Sequence, residues 1–182
     1  RNTQDPQNIG QIEYKYSQIA RNAGIIMPET RLFEGKYFGV KRFDRKGEKR
    51  IHMHTAAGIL HANFRIPSLD YKILIETTLF LTHDIQEAEK MFRLMAFNVI
   101  GNNKDDHAKN FSFIYDDNRW QLSPAYDLVP SEGFNGQHTT TVLGQGLPTE
   151  TDMLNLAKET GIAAKRAAAI IGQIKQAFAE NP

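Results

Sequence analysis

Cysteine is absent from this chain of 182 residues. That excludes disulfides and thiolate metal sites, and it suits a reducing cytoplasm, which is the expected compartment. No run of about 18 apolar residues occurs, so no segment reads as a membrane-spanning helix, and no stretch reads as a secretory leader. Net charge is nearly absent too: 22 basic residues against 21 acidic ones leave +1. Such a balance gives no global pull toward nucleic acid or an anionic membrane surface, so neither is expected as a direct partner. Internal repeats and low-complexity tracts are missing. The chain opens on Arg1 rather than methionine, and it is read as part of a longer protein.

What is present is enough apolar material for a real core: 41% hydrophobic residues, with 11 Phe and 6 Tyr. That composition argues against disorder and fits one domain, or one lobe of a larger one. Residues 1–8, "RNTQDPQN", read as a polar linker or frayed segment, and residues 9–182 as the folded lobe. Apolar residues recur at helical spacing from Ile9 to a stop at Gly24. Leu32 to Phe43 reads as a hairpin turning at Glu34-Gly35-Lys36. Asp44 to Arg50, "DRKGEKR", reads as a charged surface loop. Helices are expected at Thr55–Ala62, Tyr71–Leu81 and Ile85–Ile100, the last capped by Asp84 and striped by Ile85, Ala88, Phe92, Met95 and Val99. "FSFIYD" and "RWQLS" form a second expected hairpin around Asp116-Asp117-Asn118. A short strand at "HTTTVLG" and helices at Thr149–Thr160 and Ala163–Ala179 complete the order. The fold class is α+β, mostly helical, with small antiparallel hairpins.

Polar residues gather where the third of the central helices hands over to the second hairpin: "GNNKDDHAKNFSF", Gly101 to Phe113. Loops and caps explain such residues blandly. The spacing Asp-x-x-x-x-Asn from Asp105 to Asn110 has a sharper meaning. A carboxylate can accept the proton of an attacking hydroxyl while an amide oxygen a turn later binds Mg²⁺, both facing one phosphate. Asp127 follows 17 residues after Asn110 in "SPAYDLVP". One Asp and one Asn are hard oxygen donors that suit Mg²⁺ completed by water and phosphate.

"DDHAKNFSF" followed by "WQLSPAYDLVP" resembles the HipA-like family of serine/threonine kinases, the toxins of bacterial toxin–antitoxin pairs. "VKRFDR" (Val40 to Arg45) resembles that family's linker strand, and "IEYKYSQIARNAGIIMPET" its preceding helix and strand. The likeness runs from about Glu13 to Pro130 and more loosely to the C-terminus. It implies a protein-kinase-like C-terminal lobe acting with ATP and Mg²⁺. By position it implies Asp105 as the catalytic base, and Asn110 and Asp127 as metal ligands. His107, Ala108 and Lys109 would lie along the nucleotide, and Lys41, Arg42 and Phe43 would line the adenine pocket. Lys41 stands where an acidic residue is expected. Glu13 is the candidate partner of a strand lysine that the chain, like the Gly-rich phosphate loop, does not include. A protein substrate, an aminoacyl-tRNA synthetase in type, and a DNA-binding antitoxin partner are implied as well.

Bland readings compete at several positions. Asp106 is expected to be a solvated loop residue or a cap, and Asp106→Asn to matter little. His107 divides evenly between a hydrogen-bonding role in the loop and phosphate contact. His52 and His54 alternate as on a strand, without a matching pair for zinc. Lys46, Lys49 and Arg50 read as a solvated loop. Two other functions compete with the protein kinase: a non-catalytic remnant that binds a partner, and a small-molecule kinase on a similar scaffold.

Overall fold

A computed structural model describes residues 8–62 and 69–181. The linker expected at residues 1–8 therefore lies, apart from Asn8, outside the described residues. Helix α1, Ile9–Asn22, ends as its spacing predicts, with Gly24 in the left-handed region at φ 75°. Strands β1, Thr30–Phe33, and β2, Tyr37–Val40, pair antiparallel in the register Thr30↔Val40. The expected hairpin ran to Phe43. The strand stops at Val40, with one further bond from Lys41 N to Glu29 O at 2.8 Å. Lys41–Phe43 is thus not a strand. The chain turns there because the Asp44 carboxylate collects the guanidinium groups of both Arg42 and Arg45.

"DRKGEKR" is not an open loop either. β3, Arg45–Lys46, pairs with β4, Lys49–Arg50, in a tight hairpin. Gly47 supplies the turn's positive φ of 62°, and Asp116 on a neighbouring strand draws in Lys49 at 3.1 Å and Lys46 at 3.8 Å. β5, His52–Thr55, follows. Helix α2 is shorter than expected, Ala56–Ile59, and the Thr55 hydroxyl caps it by accepting from Gly58 N at 3.2 Å. A two-residue strand β6, Leu69–Asp70, leads into α3, Tyr71–Thr82. Helix α4, Ile85–Ile100, has the predicted bounds, and the Asp84 carboxylate accepts from Gln86 N at 2.8 Å.

β7, Ser112–Asp116, and β8, Arg119–Leu122, form the second hairpin, and β5 adds to β7 to make three antiparallel strands in the order β5-β7-β8. The strand read at "HTTTVLG" is β9, Thr140–Thr141. It pairs with β6 in parallel, whereas the other described strand pairs are antiparallel; an isolated bridge, Asn103↔Ser131, is parallel as well. Helices α5, Glu150–Glu159, and α6, Ala164–Ala179, close the lobe, and Thr149 and Asp152 make a reciprocal capping box on α5.

α4 is the central rod. Met91, Phe92, Met95 and Phe97 are fully buried between α3 and α6. Each such side chain contributes roughly 1.5–3 kcal/mol by leaving water. Ile85, placed on this stripe by its spacing, is instead exposed, because the first turn of α4 precedes the point where its neighbours cover it. The architecture is α+β and resembles a protein-kinase C-terminal lobe: helices pack below, and small sheets hold the α4–β7 loop on one rim.

Candidate functional site

The α4–β7 loop begins where Gly101 N donates to Phe97 O and finishes the helix. Its fixed point is the residue that the sequence suggested was solvated. Asp106 is fully buried. Its Oδ2 accepts from Tyr71 OH at 2.7 Å and from His138 Nδ1 at 2.9 Å. Its Oδ1 accepts from Thr139 N at 2.9 Å and Thr140 N at 3.1 Å. Its carbonyl accepts from Thr140 Oγ1 as well. The earlier reading of Asp106 is therefore corrected. The four donors come from positions 32–35 residues away, so nothing local in the sequence announces them.

A polar chain continues from this hub. Tyr71 OH gives its proton to Asp106 and so receives from Asn98 Nδ2 at 2.9 Å. Asn98 Oδ1 must then accept, and it does, from Asn103 Nδ2 at 3.0 Å. Asn103 Nδ2 also reaches Asp127 O at 3.4 Å.

With Asp106 drawn inward, Asp105 faces out. Its backbone N donates to Ser131 Oγ at 2.7 Å. Partial burial lifts its carboxyl above the ordinary carboxylate value; His107 pulls it back down, and the negative charges of Asp127 and Asp106 push it further up. Asp127 is thus close enough for its charge to be felt at Asp105. Asn110 Nδ2 donates to Asp105 O at 2.9 Å, which spends the amide nitrogen and leaves Oδ1 for another partner. Asp127 itself is exposed and sits at φ 57°, between the buried Ala125 and Leu128. Asp105, Asn110 and Asp127 share one rim of the lobe.

The loop is also tied from behind. Ala57 N donates to Ala108 O at 3.0 Å and Ala56 N to Phe111 O at 2.8 Å. Ala108, read as a nucleotide contact, is buried with its carbonyl turned to α2. Lys109 is exposed and His107 half-buried; Glu13 lies half-buried on α1.

Next to this rim is a cavity of about 280 Å³, lined by Val40, Lys41, Arg42, Phe43, Asp44, Met53 and Tyr126. The Phe43 and Tyr126 rings stack with centroids 5.9 Å apart. Lys41 turns its side chain out to Glu29 at 3.4 Å, and Arg42 grips Asp44, whose carboxyl is held at about 2 by that hydrogen bond. The cationic heads at positions 41 and 42 are therefore engaged by carboxylates, and what faces the cavity is largely apolar, as a flat heterocycle requires. Tyr126 also reaches the loop: its OH donates to Lys109 O at 2.6 Å and lies 2.5 Å from Ser112 Oγ. Met53 and the Tyr126 hydroxyl escaped the sequence reading. Alternation in "IHMHT" signals that Met53 faces opposite His52, which packs on Trp120 instead.

As donors for a cation, Asn110 Oδ1 and the Asp127 carboxylate are two hard oxygens. Among the described residues no group of three or more His, Cys, Asp or Glu side chains gathers around a metal position. The rim therefore fits an ion whose remaining ligands are water and phosphate, as Mg²⁺ is bound, and does not fit a closed all-protein centre.

Comparison with known proteins covers nearly the whole chain. The model of the HipA-like C-terminal domain matches residues 2–181. A candidate kinase of Sinorhizobium fredii, Y4dM, is 30% identical over 145 residues, 70% of this chain and 35% of that protein. A candidate kinase of Haemophilus influenzae is 28% identical over 175 residues, 85% of this chain and 48% of that protein. The chain thus spans a third to a half of these relatives. Among solved structures, HipA of Shewanella oneidensis, in complex with HipB and operator DNA, superposes with a TM-score of 0.76 at 19% identity, over 97% of this chain and 50% of that one. The proinflammatory kinase CtkA of Helicobacter pylori gives a TM-score of 0.56 at 11% identity, over 97% of this chain and 85% of that one.

Proposed function

The chain belongs to the family of the HipA-like C-terminal domain, and from that premise we propose that it is the catalytic lobe of an ATP-dependent serine/threonine protein kinase. The observation that carries this reading is the shared rim: an outward carboxylate at Asp105, and oxygen donors at Asn110 and Asp127, beside an aromatic-walled cavity.

In this reading the adenine enters the cavity against Phe43 and Tyr126, and Lys109 and His107 lie along the phosphates. Asn110 Oδ1 and Asp127 would hold Mg²⁺, which neutralises charge on the phosphate oxygens when bound. Asp105 orients the acceptor hydroxyl and takes its proton as the oxygen attacks the γ-phosphorus. Burial and neighbouring negative charge make Asp105 a better proton acceptor than a free carboxylate. The remainder of phosphate positioning would come from the rest of a protein of its relatives' length. By family resemblance the substrate is a protein of the translation machinery, an aminoacyl-tRNA synthetase in type, in the cytoplasm. HipA of Shewanella oneidensis is in complex with HipB and operator DNA, which favours a DNA-binding antitoxin as this chain's partner.

The test is transfer of labelled γ-phosphate from ATP by the full-length protein in a proteome extract, with Mg²⁺ present or chelated. Phosphate on Ser or Thr, dependent on Mg²⁺, is the expected result; no protein-bound label above a heat-killed control overturns the reading. Asp127→Asn should weaken Mg·ATP binding and slow transfer together, by on the order of 10-fold or more, since it removes charge from the metal site. In calorimetry without nucleotide, Mg²⁺ should bind the chain only weakly, because phosphate supplies the missing ligands. Tight binding by the bare chain would mean that the site is closed rather than open.

A further inference from the structure

A charged side chain taken out of water normally meets an opposite charge. Arg93, in the middle of α4, does not. It is only 9% exposed, and among the described residues it forms no ion pair with a carboxylate. Its Nη1 alone is spent, on two neutral oxygens: Ala23 O at 2.6 Å and Gln173 Oε1 at 2.8 Å. Nε and Nη2 find no acceptor among the described residues, and both stay open to solvent. These two N–H groups form the parallel fork with which a guanidinium grips an oxyanion at two points.

Arg93 lines a groove of about 580 Å³ between Ile26 on the α1–β1 connection, the first half of α4, and Arg166 on α6. Three cationic side chains face it: Lys90, Arg93 and Arg166. Two of them already hold a glutamate. Lys90 pairs with Glu87, and Arg166 Nε donates to Glu89 Oε2 at 2.8 Å. Arg166 still presents its two Nη groups, and its charge is felt at Arg93. Burial and that like charge disfavour the charged form of Arg93, and Glu89 opposes them without reversing the shift. Water in the groove can meet the two N–H groups of Arg93, but it brings no charge to offset the guanidinium. The groove shares no lining residue with the nucleotide cavity.

We propose that this groove is a second ligand site, which binds a small oxyanion, phosphate or carboxylate, in the fork of Arg93 and beside Arg166. The site needs nothing from the nucleotide rim, so it stands apart from the kinase reading. It is nevertheless joined to that rim through the backbone. Ala125 N donates to Ile26 O at 2.8 Å, so the wall of the groove is tied to the segment that leads, two residues on, to Asp127. An anion bridging α4 and α6 beside Ile26 would steady that connection.

The experiment is calorimetric titration of the full-length protein with inorganic phosphate and with acetate, without nucleotide and in a buffer free of other oxyanions. Hydrogen exchange over residues 24–26 is followed in parallel. Wild type should bind at least one of the two anions, and exchange at 24–26 should slow on binding. Two substitutions on the groove wall should act with opposite sign. Glu89→Gln removes the carboxylate that competes for Arg166, and should tighten anion binding by about 5-fold. Arg166→Gln removes a cation and frees Glu89 to turn to Arg93, and should weaken binding by about 5-fold. Arg93→Lys keeps a cation but loses the fork, and should weaken it by about 10-fold; if loss of the bonds to Ala23 and Gln173 unfolds that variant, the two wall variants decide alone. Failure of wild type to bind either anion overturns the proposal, as do wall variants that shift the affinity in the same direction or not at all. Binding that leaves exchange at 24–26 unchanged overturns it too, because the anion then sits elsewhere. None of these results bears on phosphoryl transfer, which the labelled-ATP assay tests separately.

Discussion

Asp106→Asn should lower the melting temperature of this chain by on the order of 10 °C, although it changes one atom of a loop residue beside Asp105. Each carboxylate oxygen of Asp106 accepts two donors, Tyr71 OH and His138 Nδ1 on one, and Thr139 N and Thr140 N on the other. An asparagine must turn its NH₂ toward one of these pairs, whichever way the amide is flipped. Turned toward Thr139 N and Thr140 N, the NH₂ faces two fixed donors in a site without solvent; turned toward Tyr71 and His138, it forces His138 onto its other tautomer and leaves the Tyr71 hydroxyl proton without the carboxylate that accepts it. Removing one partner of a buried charged network costs about 3–5 kcal/mol. For a chain of this size each kcal/mol moves the melting temperature by roughly 2–4 °C. The measurement is a circular-dichroism melt of the variant against the wild type. A shift under about 2 °C would mean that the loop relaxes around the amide, and that the polar chain through Tyr71, Asn98 and Asn103 is not held by Asp106.

Asp105→Asn, one residue earlier, should do the opposite. In the full-length protein it should cut phosphoryl transfer by about 10²–10⁴-fold, the usual range for a positioned acid–base group, and leave ATP affinity within a factor of about three. The melting temperature should not fall. Partial burial, and the charges of Asp127 and Asp106, disfavour the charged form of the Asp105 carboxyl, although His107 opposes them. The fold pays for that arrangement, and a neutral amide relieves it. The decisive result is the pairing: a stable, ATP-binding, inactive Asp105→Asn beside an unstable Asp106→Asn. An active Asp105→Asn would move the base to another residue and break the Asp-x-x-x-x-Asn register.

The contrast between these neighbours shows where the sequence was readable. Helix α4 was legible to the residue in its bounds because the apolar spacing and the Asp84 cap are local signals. The hairpin β7–β8 followed from its turn residues. The third strand of that sheet was not legible: β5 pairs with β7 across about sixty positions, His52↔Tyr115 to Thr55↔Ser112, and pairing at that range leaves no local trace. Nor could composition distinguish Asp105 from Asp106. Both are aspartates in a polar loop, and the difference lies in which of them Tyr71 and His138 reach. The hairpin inside "DRKGEKR" was missed because its charges looked solvated, whereas Asp116 gathers Lys46 and Lys49 from another strand. Of the positions drawn from family resemblance, Asp105, Asn110 and Asp127 lie on one rim, whereas Ala108 is buried and Lys41 turns out to Glu29; the contacts that place them, through Asn103 and Tyr126 among others, were invisible before the fold.

The two bonds from α2 to the α4–β7 loop tie their motions together. The first N–H groups of a helix have no partner within it. Here Ala56 and Ala57 spend theirs on Phe111 O and Ala108 O. Fraying of this short helix and loosening of the loop are therefore a single event. In hydrogen exchange, the amides of Ala56 and Ala57 and those of the loop should share one opening free energy, as a cooperative unit does. Surface loops normally exchange in the time of a local fluctuation. This one should wait for a segment of the fold to open, so in the kinase reading the motion that admits and releases substrates falls to other parts of the protein.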